Sequence, residues 1–309
     1  MVLAAGRGRR MQPLSDALPK PALPLPDGPV VGWSMRLAAA AGATRLVVNT
    51  WHNGEAMAEA AASVRLDGVE LLLSAEPTLQ GSAGGLALAR DRGLLEGDGP
   101  VLVCNGDVVL NLDLARLWAR HEASGDAVTL ALLPHLDPRR WSRVVLDRDE
   151  RVAEILPAGE PAPGEVPLLY TGVMLVARPA LLALPSGPGD IGELLWAPAR
   201  AQGRLGGIVV GGHWREVGTP ADYLETVLHQ LSGRTVVDPS AVVDPEASCA
   251  AVLVGRGSRI EAGASVERSV VAAGALVGSG ATVRDSVLLG AVEAGEGASL
   301  HDLVLAAAR

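Results

Sequence analysis

Residues 2–15, VLAAGRGRRMQPLS, run a short apolar strand, Val2–Ala5, straight into a glycine-bearing turn, and the same layout recurs along the chain. Arg45–Asn49 (RLVVN), Val69–Ser74 (VELLLS), Pro100–Cys104 (PVLVC) and Ala127–Leu133 read as strands that are apolar throughout rather than alternating. Between and after them, Gly32–Ala41, Glu55–Val64, Gly84–Arg92, Leu112–Ala123 and Tyr223–Leu231 carry helical patterning. Continuous apolar strands separated by helices predict an α/β fold whose mostly parallel, Rossmann-like sheet is covered on both faces. Residues 135–215 are rich in Pro and Gly and contain one clear strand, Tyr170–Val176. Ligands of such sheets collect beyond the C-terminal ends of the strands, and Gly6 and Asp107 both fall there.

Past residue 235 the character changes. Val236, Val242 and Ser248 are six apart, as are Val254, Ile260 and Val266, and again Val271, Val277, Val283 and Leu289, with small residues between. One aliphatic position in six is the signature of a parallel β-helix, in which three hexapeptides close one coil. The spacing slips by one between Val266 and Val271, which predicts one imperfect turn in about four coils of roughly eighteen residues. The expected domains are 1–231, the α/β part, and 235–309, a short left-handed parallel β-helix.

Composition narrows the function. The 309 residues are 49% hydrophobic but only 3% aromatic, with no Phe, so the core is built from Ala, Val and Leu. A net charge of −9 argues against a nucleic-acid or anionic-membrane surface. Cys104 and Cys249 form no CxxC, and no apolar run reaches the ~18 residues of a membrane span. These features predict a cytoplasmic protein without membrane or nucleic-acid partners. Of 26 basic residues only Lys20 is a lysine, a compact three-donor ammonium in a chain that otherwise uses arginine.

The opening segment continues through Leu18-Pro19-Lys20-Pro21. Its glycines let backbone N–H groups approach phosphate oxygens closely. Met11 stands where a dinucleotide fingerprint has its third glycine, and no Gly-Lys-Ser/Thr follows, so neither that motif nor a Walker A loop is present. The whole string resembles the signature of the nucleotide-sugar pyrophosphorylases (sugar-phosphate nucleotidyltransferases), LAxGxGxRLxPLT followed five residues on by a lysine. The resemblance implies that Leu3, Ala4, Ala5, Gly6 and Gly8 line the nucleotide, that Arg10 holds the departing pyrophosphate, and that Lys20 bridges the α-phosphate and the sugar phosphate. Fixed cations at those places lower the barrier because charge builds there during transfer.

Three further segments extend the likeness. Asn105-Gly106-Asp107 follows a strand, and Asp107 matches the family's metal-binding aspartate, a hard oxygen ligand suited to Mg2+. Trp214–Leu224 resembles W-x-D-V-G-T-P-x-x-Y, whose Asp is the second metal ligand; here that position is Glu216. Asp222 reads instead as a residue of a helix's first turn. Leu79–Gly85 (LQGSAGG) looks like the L-G-T-A-G loop that contacts the base, with Gln80, Gly81 and Ser82 at its edge. On the sugar side, Thr171-Gly172 resembles the strand entry that lines the hexose. The family's E-K-P segment is absent, leaving Glu154 and Glu165 as available carboxylates.

The implied reaction joins an NTP and a sugar 1-phosphate with Mg2+ and releases pyrophosphate. GTP with mannose 1-phosphate is the first pair, because the base loop is similar to the mannose-1-phosphate guanylyltransferase branch. A UTP or dTTP enzyme acting on a hexose or amino-sugar phosphate comes next. A regulatory, non-catalytic nucleotide-sugar binder is the alternative that Glu216 and the missing E-K-P segment suggest. Acyl transfer by the tail is disfavoured, since its one histidine is His301. The tail is expected to mediate homo-oligomerisation or regulation.

Overall fold

A computed structural model describes residues 1–307. The last two positions of the predicted tail domain, 308 and 309, lie outside the described residues. The chain forms two compact units, one made of Met1–Ala5, Trp33–Trp51 and Arg65–Trp214, the other of Gly6–Gly32, His52–Val64 and the chain from Arg215 on.

The first unit is built on a nine-stranded sheet. In chain order its strands are β1 (Val2–Leu3), β2 (Arg45–Thr50), β3 (Glu70–Ala75) and β4 (Val101–Asn105), then, after β5 (Val108–Asp113), which lies outside it, β6 (Val128–Pro134), β7 (Arg143–Leu146), β8 (Val152–Leu156), β9 (Leu168–Val176) and β10 (Leu205–Val209). The spatial order is β8-β7-β9-β4-β1-β2-β3, with β6 pairing both β9 and β10. The strands β3, β2, β1 and β4 are mutually parallel. β9 opposes β4, and β6, β10 and β7 return to the original direction, so only β9 and β8 oppose the rest. The α/β, mostly parallel architecture predicted from the sequence is therefore present. Leu86, Leu130, Leu132, Met174 and Val176 are fully buried in its core, next to many alanines and valines.

The irregular stretch 135–215 holds more structure than its composition suggests, namely β7, β8, β10 and the strand β11 (Gly211–Glu216), which pairs with β5. The predicted helix at Leu112–Ala123 starts later, at Ala115, because Val108–Asp113 leaves the Asn105–Asp107 turn as a strand. Its alternating burial, inward at Val108, Leu110 and Leu112, shares apolar positions with a helical pattern. The helix placed at Gly84–Arg92 spans Gly81–Asp91, so Gln80 and Gly81 stand at a helix start.

In the second unit the opening turn passes through a 3-10 turn (Arg9–Met11), a short helix (Leu14–Ala17), a second 3-10 turn (Lys20–Ala22) and a small hairpin, Pro24–Leu25 with Gly28–Pro29. Met11, Leu14 and Leu23 are fully buried and anchor it. The helix Pro220–Leu231 is capped by Thr219, whose hydroxyl accepts from Asp222 N–H at 3.2 Å, and its Tyr223 donates to Pro24 O at 2.7 Å.

The tail is a parallel β-helix of three sheets with five, four and four strands among the described residues. Its coil is seventeen residues, as in the ladder Val236↔Leu253↔Val270↔Val287↔Val304. The one-residue slip seen at Val266–Val271 is thus not an isolated flaw. It recurs at the same corner of each coil, where Ala251, Arg268, Asp285 and Asp302 adopt left-handed φ values of 54°, 48°, 46° and 51°. The inward stack is Val254, Val271 and Leu288, so strict six-residue counting overshoots by one at Leu289. In the first coil the core positions are likewise Val243 and Cys249, not Val242 and Ser248.

No helix among the described residues is long and apolar enough to cross a membrane. Cys104 is fully buried in β4, and burial pushes its thiol up to about 11, while Cys249 is half-buried and shifted in the same direction. Since the thiolate is the reactive form and Cys104 would be only on the order of 0.1% ionised at pH 8, Ellman's reagent should leave it unmodified in the native protein. Guanidinium should expose both thiols; release of two equivalents from native protein would contradict this packing.

Candidate active site

The sequence-singled residues divide between the units. Gly6, Gly8, Arg10, Lys20 and Glu216 belong to the second unit, and Leu3–Ala5, Gln80–Ser82, Asn105–Asp107, Glu154 and Thr171–Gly172 to the first.

In the second unit two glycines do different things. Gly8 has φ +58° and caps the 3-10 turn, and a Cβ there would lie 3.0 Å from Ser15 Cβ, so glycine is required by the fold itself. A Cβ on exposed Gly6 would meet nothing within 4 Å. Packing therefore gives no reason for glycine at 6. Arg10 is two-thirds exposed and donates to Glu216 Oε1 at 2.9 Å, while the Glu216 side chain is 13% exposed. Two residues expected to serve the pyrophosphate and the metal are thus paired with each other. Lys20 is half-buried at the start of its own turn.

In the first unit the strand ends converge. Leu3 O accepts from Gly106 N–H at 2.8 Å, and Ser34 Oγ donates to Asn105 O at 2.5 Å. Gly172 has φ +82°, and a Cβ there would lie 2.9 Å from Asn105 Nδ2, so the Asn105 side chain rests on bare backbone. Thr171 is buried; its hydroxyl donates to Ala131 O at 2.9 Å and its carbonyl accepts from Trp214 Nε1 at 2.8 Å. Trp214 meets Trp141 edge-on, with ring centroids 5.1 Å apart. Asp107 is half-buried in the turn between β4 and β5. Glu154 is exposed on the edge strand β8, and Glu165 is locked to Arg143 in a buried ion pair.

The base loop is tightly organised. Ser82 Oγ donates to Asp190 Oδ2 at 3.1 Å and accepts from Ile191 N–H at 2.9 Å, which pins the loop at 187–191. Gln80 Nε2 donates to Thr78 O and Thr78 Oγ1, both at 2.8 Å, so its two amide hydrogens are engaged and its carbonyl is the group left to read a ligand.

Sequence reasoning missed two buried residues here. Asn49, at the end of β2, accepts at Oδ1 from Ala4 N–H (2.6 Å) and Ala5 N–H (3.3 Å). Its Nδ2 donates to Glu76 Oε1 at 2.7 Å, and Glu76 Oε2 accepts from Gln80 N–H at 2.8 Å. The amides of Ala4 and Ala5 therefore face Asn49, and any contact these two residues make with a nucleotide comes from other atoms. Burial, partly offset by the bonds from Gln80 and Asn49 and by Arg92, holds the Glu76 carboxyl above its usual range.

No group of three or more His, Cys, Asp or Glu side chains able to hold a metal lies among the described residues. Asp107 in the first unit and Glu216 in the second each offer a hard-oxygen carboxylate.

The nucleotidyl transferase family model matches residues 1–233, and the GlmU-like C-terminal hexapeptide model matches 237–308. The mannose-1-phosphate guanylyltransferase of Mycobacterium tuberculosis is 28% identical over 301 residues, covering 87% of this chain and 82% of its own. The mannose-1-phosphate guanyltransferase of Schizosaccharomyces pombe is 27% identical over 263 residues, 79% and 72% of the two chains. A shorter match is to the N-acetylmuramate alpha-1-phosphate uridylyltransferase of Neisseria meningitidis serogroup B, 41% identical over 115 residues, 37% of this chain and 48% of that one. HddC from Yersinia pseudotuberculosis, a crystal structure, shares the fold with a TM-score of 0.62 at 18% identity, over 74% of this chain and 97% of that one.

The two glycines separate fold from binding. Gly6→Ala should leave the melting temperature within about 1 °C of wild type yet weaken binding of an NTP about tenfold or more, because a methyl enters only the space of the ligand. Gly8→Ala should destabilise by about 1–2 kcal/mol through its left-handed φ. Equal thermal effects of the two would refute the distinction.

Proposed function

The chain belongs to the nucleotidyl transferase family, and from that premise we propose that it transfers a nucleotidyl group from GTP to mannose 1-phosphate, forming GDP-mannose and releasing pyrophosphate. The observation that carries the reading is the second unit's loop, where an open Gly6, an exposed Arg10 and the sole lysine share one stretch of chain. Relatives named for this substrate pair align over 87% and 79% of the chain. With Gln80 Nε2 donating to Thr78, the side-chain carbonyl is the atom that can accept from guanine, which offers two adjacent donors, N1–H and N2–H, on its Watson–Crick edge.

A phosphate oxygen of the sugar 1-phosphate attacks the α-phosphorus in line, and the bond to the β-phosphate oxygen breaks. Lys20 neutralises the α-phosphoryl oxygens, and Arg10 receives the departing pyrophosphate. Before substrate arrives Arg10 is held by Glu216. A pair with so exposed a guanidinium is worth only about 0–1 kcal/mol, so a triphosphate displaces the carboxylate readily. Asp107 and Glu216 are the residues that would hold Mg2+, whose charge would stabilise the phosphate oxygens. No covalent intermediate is required, which fits the lack of a nucleophile motif.

A uridylyl-transfer reading is favoured by one observation, the 41% identity over 115 residues to a uridylyltransferase. Incubating the protein and Mg2+ with GTP, UTP, dTTP or ATP against mannose, glucose and amino-sugar 1-phosphates, with pyrophosphate release as the readout, distinguishes the readings. The expected result is highest kcat/KM with GTP and mannose 1-phosphate. Turnover with UTP alone would move the assignment to uridylyl transfer, and nucleotide-sugar binding without any turnover would favour a regulator.

Lys20→Arg should lose about 100-fold or more in kcat with the fold intact, since a planar fork does not replace a point ammonium between two phosphates. Near-normal turnover in Lys20→Arg would remove the role given to the ammonium.

A further inference from the structure

Asn49 and Glu76 are 2% and 6% exposed, at the ends of adjacent parallel strands where an aliphatic residue would serve the core. Burying polar groups is costly unless each is satisfied, and here the satisfaction runs in one direction only. The amides of Ala4 and Ala5 are donors, so the Asn49 atom facing them must be its oxygen. That places the Asn49 amino group against Glu76, which must accept. The amide of Gln80 is also a donor, so the second Glu76 oxygen must accept as well. Only a carboxylate accepts at both oxygens.

The neighbouring helix is cleared for this pair. A Cβ on Gly85 would lie 2.7 Å from both Asn49 Nδ2 and Glu76 Oε1. Helix interiors disfavour glycine, so its presence here is consistent with the space the hydrogen bond needs. Both ends of the relay lead to segments that the proposed function assigns to the nucleotide. Ala4 and Ala5 immediately precede Gly6, and Gln80 opens the base loop, where its backbone carbonyl also accepts from Gly189 N–H at 2.8 Å.

We propose that Asn49 and Glu76 form a positioning pair that fixes Gln80 and the base loop relative to the end of β1, and so sets how the nucleotide is held. The pair touches no reacting atom; it acts through Ala4, Ala5 and Gln80. This rests on the nucleotidyltransferase reading above.

The polarity of the relay supplies the test. Asn49→Asp loses the donor to Glu76 and sets two carboxylates together. Glu76→Gln sets an amide donor against either the Asn49 amino group or the Gln80 amide. The double variant N49D/E76Q restores every bond with the charge moved to position 49. The carboxylate introduced at 49 accepts from Ala4, Ala5 and the amino group introduced at 76, and the side-chain carbonyl at 76 accepts from Gln80. Each single variant should raise the KM for the NTP about tenfold while kcat and the KM for the sugar phosphate change less than about threefold. Affinity for GTP alone, by titration calorimetry without sugar phosphate, should fall in parallel. The double variant should recover both to within about threefold of wild type. Single variants that lose thermal stability but keep the wild-type KM and GTP affinity would make the pair merely structural and overturn the proposal. If a single variant does not fold, the double variant decides, sustaining the proposal with wild-type values and overturning it with a raised KM or no fold. A wild-type protein that binds and turns over none of the four NTPs would sink the nucleotidyltransferase reading, and this pair's role with it. Wild-type turnover with unaffected single variants would sink the pair's role alone.

Discussion

The central strand of the first unit contributes only Val2 and Leu3 to the sheet, and the ligand-facing ends around it have to be held by other means. A two-residue strand makes few ladder bonds, yet every buried backbone N–H and C=O beside it still needs a partner. On the β4 side Cys104 N–H donates to Met1 O at 2.9 Å and Gly106 N–H donates to Leu3 O at 2.8 Å. Beyond Leu3, where no strand remains, the Asn49 side chain takes over as acceptor for two successive amides. The path of Ala4 and Ala5 is therefore set by a side chain from the neighbouring strand. Asn49 needs Glu76 to orient it, and Glu76 needs Gln80, so one short strand draws three segments into a single polar chain.

The apolar strands β2, β4, β6 and β9 are legible because burial on both faces leaves no alternation to confuse with a loop, and β3, at the sheet edge and largely uncovered, is legible from its run of leucines alone. The remainder hid for identifiable reasons. β5 follows its turn without a spacer, and its last two residues, Leu112 and Asp113, run directly into the helical pattern that follows. β7 and β8 are short, β7 opening on a buried Arg143 and β8 carrying the exposed Glu154, and β10 includes Gly206 and Gly207, which read as breakers. In the tail the six-residue period was visible, but the seventeen-residue coil was not. The shortened corner places Ala, Arg or Asp in a left-handed conformation, and with no glycine or asparagine there the sequence carries no flag.

Site legibility followed a similar divide. Gly6, Arg10 and Lys20 stand in one contiguous string whose spacing is specific, so a single sequence suffices to single them out as candidates. Asn49 and Glu76 come from different strands, 27 positions apart, and each taken alone reads as the polar residue that ends a strand. The available signal was indirect: Gly84-Gly85 within a helical pattern, which local propensity disfavours and close packing explains. Ser82 has a structural role that the sequence does not announce. A hydroxyl in a glycine-rich loop suggests a ligand contact, and here it ties the loop to Asp190 and Ile191.

The pairing of Arg10 with Glu216 bears on why position 216 can depart from aspartate. A longer carboxylate reaches the guanidinium of an exposed arginine while its own stem stays largely covered, so each side chain has a partner before any phosphate is present. An acidic protein with net charge −9 gains from this, because an uncompensated cluster of carboxylates near an incoming triphosphate would repel it. Arginine suits the exchange: its charge is permanent, and its fork can pass from a carboxylate to a phosphate without change of protonation. Lysine suits the other role. At a half-buried turn close to Gly8, a compact ammonium can serve oxygens of two phosphates that approach from different directions, whereas a planar fork commits to one. In the proposed reaction Lys20 bridges two phosphates and Arg10 releases one anion, and each cation suits the role the proposal gives it.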